Sequence, residues 1–102
     1  MGLADLLLGR PKDTPHAVAV ANPEQGVTIY WRQGCPFCVR LRAAVRRNRD
    51  RATWVDIWSD PDAAAYVRSV NDGDETVPTV VIDGVPHTNP DPKLVQQALA
   101  SR

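Results

Sequence analysis

The chain has 102 residues, 43 % apolar and 24 % charged, which is enough for one compact core and too few for two. Twelve basic side chains balance twelve acidic ones, which removes the bulk electrostatic case for a binder of nucleic acid or of an anionic membrane surface. The longest apolar runs, such as Ala17–Ala21 and Val80–Ile82, fall far short of the ~20 residues that cross a bilayer. Met1–Leu8 has neither the basic start nor the apolar length of a secretory signal, so a soluble, cytoplasmic protein is expected.

Residues 1–25 carry Pro11, Pro15 and Pro23, a density of helix and strand breakers that suits an extension laid on a domain formed by residues 26–102. Within the extension, Leu3, Leu6 and Leu7 fit a short amphipathic turn, and the alternation Ala17-Val18-Ala19-Val20 fits an edge strand. From Val27 the pattern becomes regular. Val27–Trp31 is β-branched and aromatic and predicts a buried strand. Pro36 suits the first turn of a helix, which the spacing of Phe37, Leu41, Ala44, Val45 and Asn48 carries to about Arg49. Thr53–Trp58 predicts a second strand, and Ser59-Asp60-Pro61-Asp62 caps a second helix that ends near Val70 at Asn71-Asp72-Gly73.

Pro78 opens a third strand over Thr79–Ile82, and Asp83-Gly84 is a two-residue hairpin signal that leads to a fourth strand near Val85-Pro86-His87. A last helix starts around Asp91-Pro92 and is expected to bury Leu94, Val95, Ala98 and Leu99. The order is βαβαββα. The strand-helix-strand unit demands a parallel pair, and the hairpin adds an antiparallel edge, so an α/β fold with a mixed four-stranded sheet flanked by helices follows.

Charge is unevenly placed along the chain. Arginines crowd residues 32–51, and acidic residues dominate 56–91, so one face is expected to be basic and another acidic. A solvated helix face with its ion pairs accounts for this, and attraction of an anionic thiol or an acidic partner is the alternative.

The two cysteines, Cys35 and Cys38, exclude a multi-bridge secreted scaffold. In Cys35-Pro36-Phe37-Cys38 the first cysteine stands at the expected helix N-cap, where unpaired N–H groups and the positive end of the helix dipole favour a thiolate. Cys38, one turn further in, is shielded. This asymmetry makes Cys35 the candidate nucleophile toward a substrate disulfide and Cys38 the resolving thiol that attacks the Cys35 sulfur to release the product. Two other readings of the pair stay open: half of a zinc site, and two inert buried thiols. Structural zinc usually takes four ligands, and the chain adds only His16 and His87, so no metal ligand set is assigned. Thr76-Val77-Pro78 precedes the third strand. Cis bonds are only ~5–6 % of X-Pro bonds in folded proteins, so the residues alone leave a cis and a trans proline open.

Cys35-Pro36-Phe37-Cys38 after a strand, Thr76-Val77-Pro78 about forty residues later and the Asp83-Gly84 hairpin together resemble the glutaredoxin branch of the thioredoxin fold, from Val27 to the C-terminus. More narrowly, Ser69–Val80 and Thr88-Asn89-Pro90 resemble the actinobacterial mycoredoxins, which use mycothiol in place of glutathione. The resemblance implies that Pro78 is cis and faces Cys35, so that Val77 pairs its backbone with an incoming cysteinyl group, with Phe37 as an aromatic wall and Thr76 beside it. Glutathione-using relatives usually carry Gly-Gly-x-Asp after the third strand, with the Asp receiving the tripeptide amino group. Here the region reads Gly84-Val85-Pro86-His87-Thr88-Asn89. Thr88 and Asn89 are neutral groups suited to sugar hydroxyls, or alternatively to capping the last helix. The mycoredoxins commonly show Cys-Gly-Tyr-Cys after Trp, whereas this chain has Gly34 before Cys-Pro-Phe-Cys, and Pro36 disfavours a bridged iron–sulfur form.

The expected activity is that of a thiol-disulfide oxidoreductase acting on mycothiol-protein mixed disulfides or protein disulfides. Mycothiol is then the co-substrate in preference to glutathione, and no cofactor is tightly bound. The alternative is an electron-carrier redoxin, reduced by a flavoprotein reductase and serving an acceptor such as ribonucleotide reductase. A metal or iron–sulfur module is the reading from a different class.

Overall fold

The computed structural model describes residues 14–19 and 26–102. The expected turn at Leu3, Leu6 and Leu7, and most of the proposed extension, lie outside them. The described elements are α1 (His16–Ala19), β1 (Val27–Trp31), α2 (Pro36–Ala44), a 3-10 turn (Arg49–Arg51), β2 (Thr53–Asp56), α3 (Pro61–Val70), β3 (Thr79–Ile82), β4 (Val85–Thr88) and α4 (Pro92–Ala100). The sheet order is β2-β1-β3-β4. β1 pairs parallel with β2, with Trp31 beside Asp56, and antiparallel with β3, with Tyr30 beside Thr79.

Successive residues of a strand point to opposite faces of a sheet, and β1 uses both. Tyr30 meets Tyr66 of α3 and His16 of α1, with ring centroids 5.0 and 5.7 Å away. Trp31 turns the other way and lies under the Arg42 guanidinium of α2. Helices therefore cover both faces. Ile29, Val55, Val67, Val80, Val95 and Leu99 are fully buried between the layers, each contributing roughly 1.5–3 kcal/mol by leaving water.

Several boundaries differ from the expectations. The alternating Ala17–Ala19 segment is one helical turn and not an edge strand. Alanine has the highest helix propensity, and the turn closes through Ala19 N–H donating to the Pro15 carbonyl at 3.0 Å. Thr14 N–H reaches the Trp54 carbonyl on the outer edge of β2, so this segment does lie against the sheet. Helix α2 stops at Ala44, short of Arg49. Continued past Ala44, the helix would stack Arg42 on Arg46 and Arg47 on Arg51 at i,i+4, with Asp50 the single acidic side chain among them. Arg42 itself is buried, so the arginine run is not wholly a solvated face. Strand β2 ends at Asp56, because its carboxylate accepts from Trp58 N–H at 2.9 Å and bends the chain. In α4, Val95 and Leu99 face the core one turn apart, and Leu94 stays 40 % exposed.

The hairpin follows its sequence signal. Asp83 and Gly84 both have positive φ, as a two-residue turn of matching twist requires. At the end of α3, Asn71 ties three elements together. Its Nδ2 donates to the Val67 carbonyl at 2.9 Å and to Thr79 Oγ1 at 3.0 Å, and its Oδ1 accepts from Thr88 Oγ1. Thr79 Oγ1 in turn donates to the Thr76 carbonyl at 2.8 Å, so this fully buried hydroxyl is satisfied twice. Asn71→Ala is expected to lower stability by about 1–2 kcal/mol, a fall in Tm of roughly 4–16 °C for a domain of this size, readable by thermal denaturation.

Asp60 caps α3, accepting from Asp62 and Ala63 N–H at 3.2 and 3.3 Å, and also accepts from His16 N–H at 2.8 Å. These donors, the His16 N–H first, hold its carboxyl below the ordinary range. A carboxyl with a depressed folded value stabilises fully above its unfolded value of ~3.9 and loses that contribution as pH falls through the folded value. The Tm advantage of the native chain over Asp60→Asn should therefore be full at pH 6 and shrink as the pH drops below ~4.

Candidate functional site

Cys35 stands where the loop after β1 becomes α2. It is the N-cap residue, with extended backbone angles of φ −82° and ψ 119°, and Pro36 follows at the first helical position. Proline lacks the N–H that would be unpaired there and presets the helical φ, so Cys35-Pro36 starts a helix by local chemistry alone. The N-cap places the Cys35 sulfur at the positive end of α2. No side chain caps this helix end.

The second wall comes from the loop before β3. Because β1 and β3 are antiparallel, the residues that precede β3 meet those that follow β1. The Val77–Pro78 peptide bond is cis, and Cys35 Sγ–H donates to the Val77 carbonyl at 3.5 Å. Both cysteines are free thiols and both are buried. Val77 is 6 % exposed, while Phe37 in the first turn of α2 is 53 % exposed. The buried Thr79 hydroxyl fixes the Thr76 carbonyl, so the loop bearing Val77 is held from below.

Cys38 lies one turn deeper. Burial pushes its thiol up to about 12, with the neighbouring Cys35 thiol adding to the rise and the Arg32 backbone N–H opposing it. At neutral pH Cys38 is thus a protonated thiol.

The structure brings Cys35, Cys38, Thr76, Val77 and Pro78 to one end of the sheet. Thr88 and Asn89 reach the same loop by a different route. Thr88 ends β4 and does not begin the last helix. Asn89 N–H donates to the Pro78 carbonyl at 2.8 Å. Neither residue caps α4, whose cap is Asp91, accepting from Lys93 N–H at 3.0 Å. The Thr88 hydroxyl is engaged by Asn71. On the β2 side stand Arg32 and Trp58, with the guanidinium 5.0 Å from the centroid of the exposed indole. No sequence motif marks either residue. The signal that could have found them is the parallel β1–β2 pairing, which sets residues just past both strands side by side. No cluster of three or more His, Cys, Asp or Glu side chains is placed to hold a metal ion among the described residues. Nor is any described helix long and apolar enough to cross a membrane.

The glutaredoxin family model matches residues 27–87, which spans β1, the cysteine pair, the cis proline and the hairpin. The chain belongs to the glutaredoxin family. A Mycobacterium tuberculosis protein whose name assigns it provisionally to the glutaredoxins is 43 % identical over 74 residues, covering 72 % of this chain and 88 % of its own length. Mycoredoxin 1 of Corynebacterium glutamicum is 40 % identical over 65 residues, covering 63 % of this chain and 80 % of its own. Among solved structures, a crystal structure of a thioredoxin-like protein superposes with a TM-score of 0.59 at 27 % identity, covering 72 % of this chain and 97 % of that one. The fold is thioredoxin-like, and as a glutaredoxin the protein is a thiol-disulfide oxidoreductase.

The burial of Cys38 has a direct chemical readout. On treating the reduced protein with limiting iodoacetamide at pH 7–8, peptide mass mapping should find the label on Cys35 and Cys38 unmodified, because alkylation requires a thiolate.

Proposed function

We propose that this glutaredoxin reduces mixed disulfides between mycothiol and proteins in the reducing cytoplasm, with Cys35 as nucleophile and Cys38 as resolving thiol. The observation that carries the reading is the placement of the Cys35 sulfur at the start of α2, 3.5 Å from the Val77 carbonyl, with Cys38 protonated one turn behind it. The Cys35 thiolate attacks the mycothiol sulfur of the mixed disulfide. The protein sulfur leaves as a thiolate and takes up a proton, and mycothiol stays bound to Cys35 through a new S–S bond. A second mycothiol then attacks the bound mycothiol sulfur, giving mycothiol disulfide and freeing Cys35. Alternatively Cys38, once deprotonated, attacks the Cys35 sulfur and expels mycothiol. The resulting Cys35–Cys38 disulfide is then returned to the dithiol by external thiol or a flavoprotein reductase, which supplies the two electrons.

In the bound state the Val77 backbone pairs with the cysteinyl part of the ligand. Phe37 and Thr76 border it, and Thr88 and Asn89 form the rim. Two observations favour mycothiol over glutathione. One is the kinship to Mycoredoxin 1. The other is residues 84–89, which contain no acidic group to receive the glutathione amino group, and the next carboxylate, Asp91, is engaged as the cap of α4. A charge-assisted hydrogen bond there contributes about 1.5–3 kcal/mol, so its loss costs glutathione roughly 10- to 150-fold. Thr88 keeps acceptor capacity for a ligand hydroxyl even while it donates to Asn71.

The test compares rates on a mycothiol and a glutathione mixed disulfide of one protein, each with its own regenerating system. Mycothiol should win by at least about tenfold, and parity or a glutathione preference overturns the assignment. Cys35→Ser should abolish turnover, whereas Cys38→Ser should keep measurable turnover because external thiol replaces the resolving cysteine. Equal loss in both variants points to an obligate dithiol carrier.

A further inference from the structure

Three tryptophans occupy this small domain, and they are treated very differently. Trp31 and Trp54 are buried at 0 and 4 % exposure, while Trp58 is 66 % exposed. Trp58 is nevertheless held. Its backbone N–H donates to Asp56 Oδ1 at 2.9 Å, and the Arg32 guanidinium lies 5.0 Å from its ring centroid, a cation–π contact that restrains the indole.

Its position follows from the sheet. Trp31 is in register with Asp56, and Ile57 N–H continues the pairing by donating to the Trp31 carbonyl at 3.0 Å. Residues 32 and 58 therefore leave the same end of two adjacent parallel strands, the end at which open α/β sheets place their ligands. Arg32 runs through Gln33 and Gly34 directly into Cys35. A ligand on Cys35 thus has the Val77 loop on its β3 side and the Trp58–Arg32 pair on its β2 side.

We propose that Trp58 is a specificity-determining residue of the thiol site, its indole face packing against the C–H face of a sugar ring carried by the thiol bound at Cys35. This rests on the mycothiol reading given above and assigns a residue to the part of that ligand beyond the cysteinyl group. The chemistry of the pair selects the occupant. Among the described residues the Arg32 guanidinium donates only to the Gln33 carbonyl, at 3.3 Å, so most of its five N–H donors border the indole without a protein acceptor. A carboxylate would use the guanidinium and gain nothing from the ring. An aliphatic side chain would use the ring and desolvate the guanidinium without pairing it. A polyhydroxylated ring uses both, with C–H groups on the aromatic face and hydroxyls toward the donors.

The experiment uses two small substrates, the mixed disulfides of 2-mercaptoethanol with mycothiol and with N-acetylcysteine, which offers the cysteinyl group without the sugar. Trp58→Ala should raise KM for the mycothiol substrate roughly 3- to 10-fold and leave kcat and KM for the N-acetylcysteine substrate unchanged, while Trp58→Phe should keep most of the native KM. An unchanged KM for the mycothiol substrate in Trp58→Ala overturns the inference. So does an equal rise in both KM values, which would mark a merely structural residue. The native enzyme is first compared on mycothiol and glutathione mixed disulfides. No preference there fails the functional reading itself, whereas a native preference that is undiminished in Trp58→Ala overturns only the role of Trp58.

Discussion

The double pairing of β1 is the constraint on which the site depends. A strand with a parallel neighbour on one side and an antiparallel neighbour on the other gathers three chain segments at its C-terminal end: its own continuation, the continuation of β2 and the approach to β3. Those segments bring Cys35, Trp58 and Val77–Pro78 respectively, from positions spread over more than forty residues. Two-sided burial of β1 in turn sets its composition, since every position must be apolar or find a partner, and Tyr30 does so by meeting His16 Nδ1 at 2.9 Å through its hydroxyl.

A second tier of interactions keeps that meeting point fixed. The loop ahead of β3 has little regular structure of its own, yet it carries the carbonyl nearest the nucleophile. Its rigidity comes from polar groups beneath it, where Asn71, Thr79 and Thr88 join the end of α3 to both strands of the hairpin. Partly buried networks of this kind matter more for position than for net stability, because each donor has one geometry that satisfies it and a penalty for leaving it.

Signals within a few residues were readable in the sequence, and those that depend on distant partners were not. The β-branched run Val27–Trp31, the proline after Cys35, the Asp60 cap and the Asp83-Gly84 turn each state their structure through local chemistry, and each is found where expected. The cysteine spacing likewise points to the start of α2, where Cys35 is the N-cap residue. The alternation at Ala17–Ala19 misled because alanine carries too little apolar area to decide a period, so propensity and the Pro15 carbonyl decided it instead. The helix-capping role open to Thr88 in the sequence is not taken up, because its true partner, Asn71, is seventeen residues away and reachable only after the hairpin has formed. The stacking of Arg32 on Trp58 was hidden for the same reason, as it exists only in the register of β1 against β2.

The segment that runs along β2 has a consequence for how this molecule meets its own copies. A four-stranded sheet has two open margins, each a row of backbone groups able to template a foreign strand. Along β2, the Thr14 N–H already occupies the Trp54 carbonyl. Along β4, Pro86 has no N–H to offer, and a proline is tolerated in a strand only where that N–H would face away from its neighbour. Both margins are therefore blunted, one by an added piece of chain and the other by a ring. A thiol-disulfide oxidoreductase, which must approach disulfide-bearing partners, gains from this. It can present one reactive end to them while offering little purchase for the strand-to-strand growth that seeds aggregates.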